Sequence, residues 1–199
     1  QLKSLKVLPE YLLSCNKTSP DVDSCIRDSF NHLRHYLAKG IPELNMKPIE
    51  PLNIEHMTME NGQGSVRVRA LFSNMTVLGA GNFSTVSVKS DLGRLRIDLG
   101  LRIPRITATG RYEVTDDITA VVQLHGRSEE RDGEKFMNTE KLGVDFHLGG
   151  EAMNHFLNEN ANEIIDEMKP AASMAIARHF RGFLNQAFLQ IPLRLWLLD

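Results

Sequence analysis

The feature that most constrains the fold of this chain is a long apolar stripe near its carboxyl end. Between Ala152 and Phe188, apolar side chains recur at steps of three and four residues, the spacing of one face of an α-helix. A helix over this segment would be about 55 Å long, whereas helices in globular proteins average roughly 11–12 residues. We expect Pro170 to kink it once. Because a compact core does not cover so long a stripe, another apolar surface must run alongside it. Its members are Leu157, Ala161, Ile164, Ile165, Met168, Ala171, Ala172, Ala175, Ile176, Phe180, Phe183, Leu184, Ala187 and Phe188.

The middle of the chain supplies that surface. From Leu52 to Leu148 the apolar period changes to two, which is typical of strands with one buried face. After Pro104 the apolar set moves from odd to even positions, which predicts a break or bulge there. Asp116-Asp117 and Asp132-Gly133 are the predicted hairpin turns. We therefore predict an α+β fold, in which a highly curved antiparallel β-sheet wraps lengthwise around a long C-terminal helix.

A short amphipathic helix is predicted near the amino end. The segment Asp21 to Ser24 offers N-cap residues, and Gly40 and Pro42 end the helix. Three prolines between Gly40 and Pro51 exclude a further helix there, so this segment is predicted to be a turn and an extended entry to the sheet. The apolar positions of the helix are Cys25, Ile26, Phe30, Leu33 and Leu37.

Two cysteines and three glycosylation sequons bear on the compartment. Cys15 and Cys25 favour a disulfide over two buried free thiols, and this bond would tie the incoming strand to the first turn of the helix as an amino-terminal lid. N-x-S/T triplets begin at Asn16, Asn74 and Asn82. Gln1 is not followed by a basic region and an apolar block, so we expect a targeting segment to be absent or already removed. The cysteines and sequons together predict a secreted, extracellular glycoprotein.

Composition and motifs argue against several other classes of function. A formal net charge of −2 gives no reason to bind nucleic acid. No uncharged apolar run approaches the roughly 18 residues of a membrane span, so we expect a soluble protein without stable membrane insertion. Neither H-E-x-x-H, a P-loop nor G-x-S-x-G is present, and the segment from Gly79 to Ser84 is predicted to be a turn between strands. His32 and His35 are predicted to be solvated rather than metal ligands. We expect no enzyme activity, no metal and no cofactor.

Two polar residues on the predicted inner surface have two interpretations each. His179 lies on the apolar stripe between Ile176 and Phe183, and Tyr112 lies on the inner face of the sheet. Each is either a core residue hydrogen-bonded within the protein or a polar contact for an oxygen atom of a ligand. The apolar residues around them equally fit a solid core or the wall of a hollow interior.

Several segments in a fixed order resemble the takeout and haemolymph juvenile-hormone-binding protein family of insects. The amino-terminal part is similar in Leu8-Pro9-x-Tyr11, the two cysteines, Leu37-Ala38-Lys39-Gly40-Ile41-Pro42-Glu43-Leu44 and Glu50-Pro51-Leu52. Further similarity lies in Phe72-Ser73-Asn74-Met75-Thr76-Val77-x-Gly79, in Gly110-x-Tyr112, in Asn158-Glu159-Asn160 and in Met168-Lys169-Pro170. The match covers nearly the whole chain. One departure is the short connection His147-Leu148-Gly149-Gly150 before the long helix, where family members have a longer stretch.

The resemblance implies a tubular lipid-binding fold with an interior tunnel for a lipophilic ligand. Relatives are secreted carriers of juvenile hormone, other terpenoids or lipid-like molecules such as fatty acids. With only the amino-terminal cysteine pair, this chain looks closer to the takeout-like members. We expect one domain over residues 1–199 and a monomer whose partner is a small hydrophobic ligand. Its expected contacts are Phe30, Leu33, Leu37, Val68, Phe72, Leu99, Tyr112, Val114, Val122, Phe136, Val144, Phe146, Ile164, Met168, Ile176, His179 and Phe180.

Two alternatives remain open at this point. The first is an extracellular signalling or interaction protein with a solid core that acts through its surface. The second is an enzyme acting on a lipid ester, for which no nucleophile and base can be named in the sequence. Binding of a dye in the interior and turnover of model esters would distinguish the three hypotheses.

Overall fold

The computed structural model describes residues 3–61, 68–110, 113–149 and 161–199, with side chains throughout except at 60–61, 68–70, 113–116 and 161–168. Short 3-10 turns lie at Pro42–Leu44, Ala80–Asn82 and Leu92–Arg94. The helices and strands, in chain order, are β1 (Cys15–Asn16), α1 (Val22–Lys39), β2 (Leu52–Asn61), β3 (Val68–Leu78), β4 (Ser84–Asp91), β5 (Arg96–Thr109), β6 (Glu113–Arg131), β7 (Glu134–Leu148), α2 (Ala161–Phe188), α3 (Leu193–Trp196) and β8 (Leu197–Leu198).

The main sheet is antiparallel and curls around the long helix. Its six strands follow the order β2-β3-β5-β6-β7, with β4 also paired to β5. Helix α2 packs against β7 and also against β2, which lie at opposite ends of that order. A flat sheet would not bring both of these strands to one helix, so the sheet is curved around α2. This confirms the α+β architecture predicted from the two periodicities.

The details of the sheet confirm one predicted turn and correct the other. The register of β5 against β6 shifts between Ile103 and Ile106, as the parity change after Pro104 predicted. Asp132 and Gly133, with φ of 53° and 77°, form the turn between β6 and β7. The hairpin predicted at Asp116-Asp117 is wrong. Strand β6 runs through both residues, since Asp116 pairs with Ile106 and neither aspartate supplies the positive φ that a two-residue turn requires.

The two main helices agree with the predicted elements. Helix α1 begins after Asp21 and ends at Gly40, which has a φ of 84° and whose N–H donates to the Leu37 carbonyl. A side chain at Gly40 would place its Cβ 2.9 Å from the Met46 carbonyl oxygen. Helix α2 continues through Pro170 and is 28 residues long over Ala161–Phe188. Its predicted start at Ala152 lies outside the described residues, and the kink at Pro170 stays a prediction.

Residues near both ends of the chain are held together. The predicted disulfide is present, joining Cys15 in β1 to Cys25 in the first turn of α1 with a Cα–Cα distance of 5.8 Å. Strand β1 pairs in parallel with β8, with Cys15 opposite Leu197. Ser14 Oγ also donates to the Leu195 carbonyl at 2.6 Å. The disulfide and these hydrogen bonds attach the amino-terminal segment to both α1 and the residues after α2.

The turn between β3 and β4 is organised by one carboxylate. Both oxygens of Glu50 lie 3.0 Å from the Gly79 nitrogen, and Oε2 also accepts from the Gly81 nitrogen at 3.0 Å. Gly79 has a φ of 92°, and a Cβ there would lie 2.1 Å from the Arg105 carbonyl oxygen. The segment from Gly79 therefore forms the predicted turn. Glu50 accepts hydrogen bonds from backbone N–H groups of this turn that have no partner in a neighbouring strand.

Candidate functional site: an apolar cavity

A partly open cavity of about 70 Å³ lies between α1, the carboxyl end of α2 and the amino-terminal segment. Its wall is almost entirely apolar and contains no charged side chain. The lining residues are Tyr11, Leu12, Leu13, Cys15, Ile26, Ser29, Phe30, Leu33, Leu37, Ile41, Leu44, Met46, Phe183, Leu184, Ala187, Phe188, Ile191 and Trp196.

Helical spacing explains why these side chains meet. Ile26, Phe30, Leu33 and Leu37 follow each other at three or four residues along α1, so they share one face. The carboxyl end of α2 repeats the pattern with a second apolar stripe. Trp196 of α3 packs against this stripe, with a distance of 5.5 Å between the ring centroids of Trp196 and Phe188. Where two such stripes face each other, large side chains leave a gap that they do not fill. The stripe of α2 at the cavity consists of Phe183, Leu184, Ala187 and Phe188.

Few polar atoms reach the cavity wall. Ser29 Oγ donates to the Leu13 carbonyl at 3.4 Å, so its hydroxyl has a partner. The Tyr11 hydroxyl and the Trp196 Nε1 are buried and have no hydrogen-bond partner at normal geometry among the described residues. Burial, followed by the nearby Glu43 carboxylate, raises the pKa of Tyr11. The Tyr11 hydroxyl is therefore neutral at physiological pH.

An open cleft of about 470 Å³ lies on the outer side of the same wall. Tyr11 and Ile41 line both the cavity and this cleft, whereas Glu43 lines only the cleft. These two residues therefore separate the apolar interior from solvent. The remaining residues of the cleft are Pro9, Glu10, Tyr36, Gly40 and Pro42.

The structure brings only part of the predicted ligand contacts to the cavity. Phe30, Leu33 and Leu37 line it. Phe180 packs edge-on against the lining residue Phe183, with ring centroids 6.2 Å apart. The other predicted contacts with described side chains lie along the sheet and α2, outside the cavity lining. Leu99 and Phe136 are buried, and Val122, Val144, Phe146 and Ile176 are half-buried.

Two predicted contacts are exposed, contrary to the inward positions inferred from periodicity. Phe72 retains 37% of its accessible surface, and it lies opposite Met57, outside the stretch of β3 that pairs with β5. His179 is exposed on α2, with its ring edge-on to Phe180 at 5.4 Å. The interpretation of His179 as a core residue does not agree with this position, and its role as a polar contact for a ligand stays a prediction. Tyr112 and the side chains of Val68, Val114, Ile164 and Met168 lie outside the described residues.

Several cavity residues were not predicted. Tyr11, Leu12 and Leu13 lie in an irregular segment, so no period marks them as inward. Ile41 and Leu44 are almost fully buried, but they belong to a turn whose only sequence signal is its resemblance to the family. The cavity lining from the carboxyl-terminal segment did have a signal in the sequence. The segment from Ile191 to Leu198 is rich in apolar residues and includes the single tryptophan of the chain.

Sites of other kinds are not found in the part of the chain that the structure describes. Within it, no cluster of three or more His, Cys, Asp or Glu residues has a geometry that could hold a metal ion. None of its helices has both the length and the apolar character needed to cross a membrane.

The curled sheet, the long helix and the uncharged cavity together define a fold that binds hydrophobic ligands. Comparison with protein families shows that the chain belongs to the haemolymph juvenile hormone binding protein family, which matches residues 1–116 and 147–198. The resemblance drawn from the sequence motifs is thereby confirmed. Members of this family are binding proteins, so the expectation that the chain is not an enzyme is confirmed as well.

A solved structure has the same fold. The chain is similar to the crystal structure of Takeout 1 from Epiphyas postvittana, with a TM-score of 0.68 and 14% sequence identity, over 94% of this chain and 99% of that chain. A lipopolysaccharide binding protein aligns with a TM-score of 0.31 and 13% identity, over 82% of this chain and 38% of that chain, which supports no conclusion. A comparison with curated protein sequences found no match.

Proposed function

We propose that this protein is a secreted carrier that binds a small hydrophobic ligand, a terpenoid such as juvenile hormone or a fatty-acid-like lipid, in an internal tunnel. The observation that carries the proposal is the apolar, uncharged cavity between α1 and α2. The name of the family, which refers to juvenile hormone binding, supports the same class of ligand. The whole chain would act as one domain and as a monomer.

The size of the cavity indicates how a ligand would be held. In another protein, an apolar cavity of roughly 150 Å³ accommodates benzene. A cavity of about 70 Å³ therefore suits the end of an aliphatic chain and not a whole lipid. The remainder of the ligand would extend along α2 past Phe180 and Ile176, beneath the curled sheet. Burial of about 300 Å² of apolar ligand surface would contribute about 7 kcal/mol before the costs of association.

Secretion is supported by the disulfide and by the sequons. A bond between Cys15 and Cys25 persists in oxidising compartments. Asn16, Asn74 and Asn82 are all exposed, so each is accessible for attachment of a glycan. We expect the protein secreted from insect cells to lose mass on treatment with a glycosidase that removes N-linked sugars. Unchanged mass would contradict the glycoprotein assignment.

Filling the cavity tests the carrier function directly. Ala187 lines the cavity, so Ala187→Phe would place a ring in the space that a ligand occupies. We expect the wild-type protein to displace a bound apolar dye with terpenoids or fatty acids, and we expect the variant to lose at least about tenfold in affinity. The matched control is Gly182→Ala on the same helix, where an added Cβ has no neighbour within 4 Å.

The outcomes separate the hypotheses. Native mass spectrometry of the wild-type protein should show an additional mass that is absent from Ala187→Phe. A wild-type protein that binds none of the panel would overturn the proposal and favour a solid-core protein that acts through its surface. Equal binding by a correctly folded Ala187→Phe variant would show that the cavity is not the site.

A further inference from the structure

One side of α2 is left uncovered by the curled sheet. The helix packs against β7 and β2, the strands at the two ends of the sheet, and a row of its residues stays open to solvent. Pro170, Met174, Arg178 and Arg181 are all exposed and follow each other at steps of three or four residues, so they share one face of the helix. We call these four residues the outer face of α2.

The outer face carries positive charge without a balancing acid nearby in the chain. From Lys169 to Leu198 the sequence contains no aspartate and no glutamate. The carboxylates of β7, the strand that packs along α2, are all engaged by other cations. These ion pairs are Glu134 with Arg194, Glu140 with Arg127 and Asp145 with Lys169.

The two arginines of the outer face have no carboxylate partner. Among the described residues, Arg178 forms neither an ion pair nor a hydrogen bond, and Arg181 donates only through Nε, to the Thr139 carbonyl at 3.1 Å. Two cations three residues apart on a helix repel each other. An anionic partner placed against both would remove this repulsion, so the outer face is complementary to a negatively charged surface.

An exposed methionine lies in the same row as the arginines. Met174 retains 65% of its accessible surface and stands one helical turn before Arg178. A purely ionic partner, such as a sulfated polysaccharide, makes no use of an apolar side chain. The interface of a lipid bilayer accommodates apolar side chains while its anionic headgroups bind the basic residues beside them. The composition of the outer face therefore favours an anionic membrane as the partner.

We propose that the outer face of α2 docks reversibly on membranes that contain anionic lipids, with Arg178 and Arg181 on the headgroups and Met174 inserted beside them. This proposal goes beyond the carrier function and does not depend on it. It describes adsorption to the membrane surface and requires no segment that spans the bilayer. Phe183 and Leu184, which line the cavity, lie within one turn of Arg181, so docking would bring the cavity end of α2 close to the bilayer.

Sedimentation with lipid vesicles tests the proposal on the whole chain. We expect the protein to sediment with vesicles of phosphatidylcholine mixed with phosphatidylserine, and to stay in solution with vesicles of phosphatidylcholine alone. Added salt should release it, because the Debye length falls from about 8 Å at physiological ionic strength to about 3 Å at 1 M. Equal partitioning to the two kinds of vesicle would overturn the proposal.

Single substitutions test whether the outer face is the contact. Arg178→Gln removes one charge and keeps a good helix former, so partitioning to anionic vesicles should fall about fivefold. The matched control Arg102→Gln removes the same charge from an exposed position of β5, the central strand of the sheet, and should change partitioning little. Met174→Gln should also weaken binding, since it removes the apolar contact. Equal losses in Arg178→Gln and Arg102→Gln would show that net charge alone matters and would overturn the proposed surface.

Further outcomes separate this surface from other partners and from the carrier function. Binding to immobilised heparin without binding to anionic vesicles, or full vesicle binding by Met174→Gln, would overturn the membrane as the partner. Arg178→Gln should keep the wild-type affinity in dye displacement, because Arg178 does not line the cavity. Ala187→Phe should still bind anionic vesicles, so a failure of the carrier function would leave the docking result standing.

Discussion

Replacement of Glu50 should destabilise the protein through the turn between β3 and β4. The Glu50 carboxylate accepts hydrogen bonds from the Gly79 and Gly81 nitrogens, all at 3.0 Å. A hydrogen bond to a charged group contributes about 1.5–3 kcal/mol. Gly81 is buried, whereas the turn around it is partly open to water, which replaces some of the lost interaction. We therefore expect Glu50→Ala to lower the free energy of unfolding by about 3 kcal/mol.

Urea denaturation followed by the fluorescence of the single tryptophan measures this loss. With a slope of about 2–3 kcal/mol per molar urea, the midpoint should fall by about 1 M. Glu50→Gln keeps one acceptor oxygen and should lose about 1 kcal/mol. Glu55→Ala, an exposed glutamate on β2, is the matched control and should change little. A loss in Glu50→Ala no greater than in Glu55→Ala would refute the assignment of Glu50 as the acceptor that holds the turn.

Three further changes should affect stability. Replacing Cys15 and Cys25 by alanine should cost about 3 kcal/mol, since the bond closes a loop with a sequence separation of 10; urea unfolding would measure it, and an unchanged midpoint would argue against this reasoning. Gly182→Ala should raise the melting temperature by roughly 2–4 °C in calorimetry, because alanine favours the helix by about 1 kcal/mol and meets no neighbour; a decrease would indicate an unfavourable contact. The hydrogen bond from Arg194 lowers the pKa of Glu134, so the pair stabilises the fold above the ordinary value of 4.5 and this contribution is lost as pH falls through the lowered pKa. Urea midpoints of Glu134→Gln should therefore lie below those of the wild type at pH 7 and converge at low pH, and a constant difference would contradict the sign.

Most of the fold was predictable because periodicity reports which faces are buried. Alternation identified the strands, and the parity change located the register shift between Ile103 and Ile106. Asp132-Gly133 was predicted correctly since both residues tolerate positive φ. Asp116-Asp117 was misread because polarity alone does not end a strand. Asp116 stays paired with Ile106 of β5, and the Asp117 carbonyl accepts from the Gly149 nitrogen.

The candidate site was less predictable, since its wall comes from distant parts of the chain. The face of α1 with Phe30 and Leu33 follows from local spacing. The positions of Tyr11 and Trp196 depend instead on the pairing of β1 with β8, which no local pattern encodes. Periodicity likewise placed Phe72 on the inner side, but its burial depends on what covers that end of the sheet.

The pairing of β1 with β8 has a consequence for synthesis of the protein. The hydrogen bond from Ser14 to Leu195 spans 181 residues, so the ribosome makes its two partners on the order of 10 to 40 s apart. During this interval the apolar face of α1 has no α3 to pack against, and the nascent chain is a suitable client for chaperones that bind exposed apolar helices. Loading of the proposed ligand into the cavity would therefore follow translation of Trp196, as a step of maturation.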